Sequence, residues 1–431
     1  VTALRSTPYN SNHYDVQTYV VGLGDTFINQ SSVANLNQMA NLGGTDAAYF
    51  ASNEQALANA FLQISIDIIS KTAAASAVSL NSGSWNTGSK VFQGRFSSGE
   101  WSGQLLSFPI GQSGEPSATP DWDSGQKIKA QNWNTGRQIL TYRASAALGS
   151  RGVPFRWPAN PAAPAAGEMD LGMVTALNKD LIGNTDSFGA DRLEYLRGNT
   201  AREVVNCSGC TAPTFRNRPT SVLGDIVNSA PVYLGSATSD FRDTIEVSRY
   251  STYAATRASK PPIIFVGAND GMLHGFNAST GSEVFAYVPY AVKDKLSALT
   301  SPSYAHQYTV DGSPSVGDVS INGTWRTMLV SGMNAGAKGL FALDVTDASK
   351  FKESTAAQVV RWELDGSDAD MGYVFSRPIL AKTRDGKWRA LVGNGYNSTN
   401  GRAVLMLVDL QSGAITKVDT GVGSAGTPNG L

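Results

Sequence analysis

Residues 265–289 read FVGANDGMLHGFNASTGSEVFAYVP, and how that stretch folds decides how the rest of the chain is read. It continues from Ile263 and Ile264 as a short run of β-branched and aromatic residues, which favours an extended strand. Asn269, Asp270 and Gly271 supply a turn that tolerates positive φ before the chain resumes with MLHGFNA, so the first two segments form a hairpin. A second turn through Ser279, Thr280 and Gly281 leads into EVFAYVP, where Val284, Ala286 and Val288 share one face and Glu283, Phe285 and Tyr287 the other. Three strands therefore meander within the stretch, with His274 on the middle one.

The same unit recurs. RTMLVSGMNAGAKGLFALDVTD with VVRWEL repeats it, and so does WRALVGNGYNSTNGRAVLMLVDLQSGAITKVDTG. Val266, Val330 and Val392 close equivalent strands at spacings of 64 and 62, while Asn277, Asp344 and Asp409 close the following strands at spacings of 67 and 65. Earlier, KVFQGRFSSGEWSGQLLSFPI gives strand, turn and strand, and PDWDSGQKI adds a third run. A further strand precedes each meander, at Pro231, Pro314 and Pro378; proline is tolerated at a strand start because its missing donor costs least there. Four antiparallel strands, repeated, make the blade of a β-propeller, so the fold class is mainly β with a propeller over residues 85–431.

Residues 1–70 have a different pattern. DVQTYVVGLGD is a buried-type strand, SVANLNQMANLGG a short helix starting at a serine cap and ending in glycines, and NEQALANAFLQISIDII a closing helix with Leu57, Phe61, Ile64 and Ile68 on one apolar face. This is an α/β unit. KTAAASAVSLNSGSWNTGS then shifts to small residues and turn formers, so 71–84 is read as a linker. Within the β region, DSFGADRLEYLRGNTAREV is expected to be an inserted amphipathic helix, and PANPAAPAAGEMD a proline/alanine loop.

Composition agrees with this reading and removes several function classes. Of 431 residues, 44 are glycine, and charged residues are 16% against the usual 25% or so, which favours turn-rich β structure. With 34 basic and 35 acidic side chains there is no global field to attract nucleic acid or anionic lipid. Apolar runs such as AVLMLVDL fall far short of a membrane-spanning helix. The chain begins at Val1 without methionine, which leads us to expect a piece of a larger precursor.

Candidate chemistry is sparse. His13, His274 and His306 are the only histidines, and each reads as a packed structural residue; neither a G-x-S-x-G elbow nor an H-E-x-x-H helix occurs. Nothing in the pattern brings Glu100 and Asp121 together as a carboxylate pair. Asp365, Asp368 and Asp370 in DGSDADMG invite a calcium reading, but their spacing does not match the D-x-[DN]-x-[DN]-G loop, so they read as an exposed acidic turn. Asn269, Asp270, Asn334 and Asn394 read as turn formers. Cys207 and Cys210 are too few for a cysteine-only zinc site; a small disulfide loop and free thiols both remain open. No residue is assigned a catalytic, cofactor-binding or metal-binding role.

The motifs ARE, FRNRPTSVLGDIVNSAPVYLG, FVGANDGMLHGF, VDGSPSVGDV, SGMNAGAKGLFALDVTD and DADMGYVFSRP closely resemble the PilC/PilY family of type IV pilus tip-associated adhesins and biogenesis factors, over residues 85–431. The resemblance implies a modified seven-bladed propeller preceded by a von Willebrand factor A domain, of which residues 1–70 look like the closing part. It also implies action by binding in pilus assembly, retraction, adhesion and motility. The implied partners are minor pilins, the pilus tip and a host or abiotic surface. The implied location is the cell surface, outer-membrane associated, after export through the periplasm. The family's calcium loop is expected beyond Leu431 and its A-domain metal loop before Val1, so no metal or cofactor is expected here. Quinoprotein dehydrogenases, propeller enzymes of the pyrroloquinoline quinone type, also resemble the opening stretch. Their blade-locking tryptophans are matched only by Trp362, with Phe285 and Lys417 at the other positions, and their adjacent-cysteine ring has no counterpart. An enzyme is therefore not expected; a purely structural envelope scaffold is the other alternative.

Overall fold

Val21–Leu23 (β1) and Tyr49–Ala51 (β2) pair in parallel, Val21 opposite Tyr49, and a parallel pair needs a crossover between its strands. The helix Gln30–Leu42 (α1) supplies it. Gly43 N–H donates to the carbonyls of Met39 and Ala40, and Gly44 takes φ 85°, ending the helix where the glycines predict; its start lies before Ser32, so that serine is helical and not the cap. The computed structural model describes residues 17–24, 30–45, 47–53, 56–57, 60–61, 64, 74–80, 89–112, 115–210 and 213–430. They fall into two compact units that divide after Ala73.

In the closing helix of the first unit the expected face is rotated. Ala60 and Ile64 are buried and Leu57 half-buried, but Phe61 is 56% exposed. Ile64 is buried as expected, but the stripe runs through Ala60 in place of Phe61, a shift of roughly 40° round the helix. Ile68 lies outside the described residues.

The second unit holds four sheets in chain order. The first comprises Ala74–Leu80 (β3), Lys90–Ser97 (β4), Ser102–Pro109 (β5) and Trp122–Asp123 (β6), all antiparallel. β3 lies inside the stretch read as linker 71–84: its alanines and serines have weak strand preference, yet β4 offers a template on which Leu80 pairs with Val91 and Ala74 with Phe96. The run expected from PDWDSGQKI is only two residues of strand. Asp123 ends it by accepting from Gly125 N–H at 2.8 Å, which starts the helix Ser124–Ala130 (α2).

The second sheet has six strands. Val232–Leu234 (β9), Ile263–Ala268 (β10), Met272–Asn277 (β11) and Glu283–Val288 (β12) form the meander of the opening stretch. Ile139–Tyr142 (β7) adds parallel to the outer edge of β12, and Gly152–Pro154 (β8) adds antiparallel to β7. The third sheet is Ser315–Ile321 (β13), Thr324–Gly332 (β14), Gly339–Asp344 (β15) and Val360–Asp365 (β16). The fourth is Ile379–Lys382 (β17), Trp388–Gly393 (β18), Arg402–Asp409 (β19) and Ile415–Gly423 (β20). Between these lie helices Leu171–Leu177 (α3), Gly189–Arg197 (α4) and Tyr250–Ala258 (α5). α4 is the insertion expected from DSFGADRLEYLRGNTAREV; it buries Leu193, Tyr195 and Leu196 and ends at Gly198 with φ 114°.

Consecutive sheets pack face to face through shared apolar layers. Phe92 and Leu105 of the first meet Ile264, Val266 and Phe276 of the second. Phe265 and Phe285 of the second meet Leu329, Phe341 and Leu343 of the third. Met328, Val330 and Ala342 of the third meet Val392, Val404 and Met406 of the fourth. Val266, Val330 and Val392 all sit on the second strand of their sheets, but they are not three copies of one position. Val266 and Val392 face the preceding sheet, and Val330 faces the following one. A one-residue offset reverses the face of a strand, and the 62 to 64 residue spacing hides it.

Aromatic side chains on the fourth strands of the first three meanders, β6, β12 and β16, seal the three seams. Trp122 on β6 lies over Gly281 in the turn before β12, where a Cβ would approach the indole to 2.6 Å. Phe285 on β12 packs on Phe351 in the connection before β16, with centroids 4.3 Å apart. Trp362 on β16 lies over Gly413 in the turn before β20, and its indole N–H donates to Leu410 O at 3.1 Å. Trp362 is therefore not the only tryptophan with this role: Trp122 repeats it, and Phe285 fills the same place.

Candidate functional site

At one end of the second, third and fourth sheets, the loop entering the first strand of the meander meets the turn leaving the second. Asn269 Nδ2 donates to Asp225 Oδ2 at 2.7 Å, while its Oδ1 accepts from Thr309 N at 2.9 Å. In the third sheet Asn334, at φ 49°, donates to Asp311 O at 2.9 Å. In the fourth, Asn394 donates to Asp370 O and Arg402 O at 2.7 and 2.8 Å and accepts from Val404 N. These three asparagines thus do more than form turns: each amide ties two loops of its sheet. The next sheet joins in, because Asn228 N and Nδ2 donate to Asp311, and Ser229 Oγ donates to Gly312 O. Gly224 N donates to Asp270 Oδ2 at 2.9 Å, an approach so close that a Cβ on Gly224 would come within 2.3 Å of Asp270 N.

His274 lies at the centre of the second sheet and is fully buried. Its Nδ1 is 2.8 Å from Glu283 Oε1, and its Nε2 is 3.1 Å from both oxygens of Asp270. Burial pushes the imidazole pKa down, but the charge of Asp270 and hydrogen bonds to both carboxylates outweigh it and lift the pKa to about 9. Glu283 shows the mirror image: burial pushes it up, and the bidentate Arg137 guanidinium at 2.7 and 2.8 Å brings it down to about 2. Arg137 also donates to Arg197 O at the end of α4. Two cations and two anions thus close a neutral set with every polar end engaged.

His306 is held by Asp225 Oδ2 at 2.7 Å and stacks on Trp101 with centroids 3.8 Å apart. Trp101, at φ 51° in the β4–β5 turn, brings the first sheet into this cluster. His13 lies outside the described residues. Asp121 pairs with Lys90 at 2.6 Å, and Glu100 lies in the turn with Trp101, where its carbonyl accepts from Arg216.

Of the acidic triplet, Asp368 and Asp370 already hold a cation. Lys417 Nζ, from β20, sits 2.6 Å from Asp368 Oδ1 and 2.8 Å from Asp370 Oδ2, where a divalent ion would have to be. Asp365 instead accepts from Ser367 N. These residues do not fit calcium, and among the described residues no group of three or more His, Cys, Asp or Glu side chains is placed to hold a metal. Cys207 and Cys210 form a disulfide with Cα atoms 5.3 Å apart, which resolves the open alternative.

Sequence reasoning missed the partners of His274 and the asparagine ties. A signal was present: each asparagine follows the second strand within a few residues, and an aspartate precedes or enters each first strand, at Asp225, Asp311 and Asp370.

The family model described as the PilY1 beta-propeller domain matches residues 223–431. Among curated relatives, the type IV pilus biogenesis factor PilY1 of Pseudomonas aeruginosa strain PAK is 42% identical over 62% of this chain and 22% of its own length. PilY1 of strain UCBPP-PA14 is 35% identical over 89% of this chain and 32% of its own. A PilY1 homolog of Xylella fastidiosa strain Temecula1 is 32% identical over 86% and 28%. The chain thus spans between about a fifth and a third of the length of these relatives. The crystal structure of the Pseudomonas aeruginosa PilY1 C-terminal domain is 41% identical over 46% of this chain and 38% of that one, with a TM-score of 0.39, too partial a superposition to bear on the fold. With the propeller model covering the β9–β12 meander of the second sheet and all of the third and fourth, and these identities extending across most of the chain, the chain belongs to the PilY1 family.

Proposed function

We propose that this chain is part of a type IV pilus tip-associated biogenesis factor and adhesin that acts by binding, through loops carried on packed sheets, in pilus assembly, retraction and surface attachment. The match of residues 223–431 to the PilY1 propeller carries the reading. The sheet ends support it: His274, Glu283, Asp270 and Arg137 are consumed by one another, an arrangement that braces loops and offers no free base or nucleophile. Minor pilins and a host or abiotic surface are the partners in this reading, and the cell surface, outer-membrane associated, is the place. A seven-bladed ring and a von Willebrand factor A-like first domain belong to it as well; the parallel β1–β2 pair with its α1 crossover supports the latter.

In a piliated bacterium whose own copy of this protein carries a deletion of residues 223–431, electron microscopy should find few surface pili and attachment should fall. Normal piliation would overturn the assignment. Calcium belongs to the same proposal, at a site past Leu431. The melting temperature of this chain should be the same in calcium and in chelator, while a chain extended past Leu431 should melt higher with calcium, because a cation that binds only the folded state adds stability by mass action.

A further inference from the structure

Away from the braced sheet ends, a cleft of about 480 Å³ opens between the 180–188 loop, the 213–215 run and the 297–302 turn. Phe215, fully buried, is part of its wall together with Phe188, Pro213 and Pro302, and Leu181 and Ile182 are the exposed apolar side chains of the lip, at 58% and 83% exposure. Branched side chains left this far in water at a cleft lip are a cost unless something covers them. The lip is a built turn: Asp180 Oδ1 accepts from Ile182 N at 3.0 Å and Asn184 N at 2.8 Å, and Lys179 bridges to Thr185.

Two observations say what fits. Most of the cleft's hydroxyls are already engaged: Ser297 donates to Ala176 O, Thr300 donates to Ser297 O, and Ser301 accepts from Ser303 N. A sugar, which needs a dense set of free donors and acceptors, is poorly served by such a wall. The charges are also unequal. Asp186 pairs with Arg192, while Asp180 has amide donors but no cationic partner within 4 Å among the described residues, leaving the cleft net negative. We propose that this cleft binds an extended segment of another polypeptide, one that seats a bulky apolar side chain between Phe188, Pro213 and Pro302, over the buried Phe215, and sets a lysine or arginine beside Asp180. This inference does not rest on the pilus assignment and would survive its failure.

The test uses fluorescence anisotropy with a labelled peptide, acetyl-Gly-Leu-Phe-Lys-Gly-amide, and its Lys-to-Glu and Phe-to-Ser versions. The parent peptide should bind at submillimolar to millimolar concentration, and either change should weaken it roughly three- to tenfold. Asp180→Asn keeps the Oδ1 that accepts from the Ile182 and Asn184 backbone N–H groups and gives up only the exposed 3.3 Å bond from Asn184 Nδ2, so it should leave the melting temperature nearly unchanged while abolishing the preference for lysine over glutamate. Ile182→Glu, at an exposed tip, should weaken the Glu version most and the parent as well. No binding at millimolar peptide, a lysine preference that persists in Asp180→Asn, or binding unmoved by Ile182→Glu would each overturn the proposal. A concentration-dependent dimer that Ile182→Glu disrupts would also overturn it, by making a second copy of this chain the occupant.

Discussion

His274 is protonated in the folded chain across a range where a free imidazole is not, and this has a direction. Folded pKa about 9 against an ordinary 6.5 means its contribution to stability is whole below about pH 6.5 and is lost as the pH rises through about 9. Glu283, at about 2 against 4.5, contributes above pH 4.5 and fades as the pH falls through about 2. Stability from this set should therefore be level between about 4.5 and 6.5 and decline on both sides. Urea midpoints measured across pH should show it, and His274→Gln should lose about 3–5 kcal/mol with most of the alkaline slope. An unchanged slope in that variant would remove His274 as its source. A second residue-scale prediction concerns Lys417: replacing it with serine frees Asp368 and Asp370, so the variant should gain a weak calcium-dependent rise in melting temperature that the parent lacks. Neither arrangement was legible in the sequence. Arg137 and Glu283 are 146 residues apart and Lys417 is 47 from Asp370, and periodicity carries no information on contacts at that range.

At the scale of strands and sheets, the meanders were legible because turns such as Asn269-Asp270-Gly271 punctuate apolar runs whatever the runs pack against. Which face each strand buries was legible only in part. Val330 occupies the right strand but the opposite face from Val266 and Val392, since a repeat known to within a few residues cannot resolve a period of two. The seam aromatics were hidden for another reason. Trp122 rests on Gly281, Phe285 on Phe351 and Trp362 on Gly413, so the same position takes different pairs of residue types. Trp362→Ala should cost about 3–5 kcal/mol, because the cavity opens between two sheets and neither can close it alone. Chemical denaturation would check it; a loss below about 1 kcal/mol would mean that the seam is carried elsewhere.

Across the second unit, each sheet packs on its chain neighbours, so stability should be unevenly spread. β20 is the outer strand of the last sheet, and its residues from Thr416 to Val422 are exposed or nearly so. Hydrogen exchange should therefore be fastest there and slowest in β10 and β11, which are enclosed on both faces and both edges. Uniform protection would contradict this gradient. The second sheet carries a further consequence. Its outer edge is completed by β7, whose Thr141 meets Val288 across 147 residues, while the strand it joins is made much later. At synthesis rates of about 5–20 residues per second, residues 139–154 are finished roughly ten seconds before their place in the sheet exists. During that interval the hairpin is an unpaired edge, the state in which chains most readily join the wrong neighbour. The 139–154 hairpin therefore keeps that edge open for as long as the ribosome takes to deliver β12, whatever the rest of the unit has already packed.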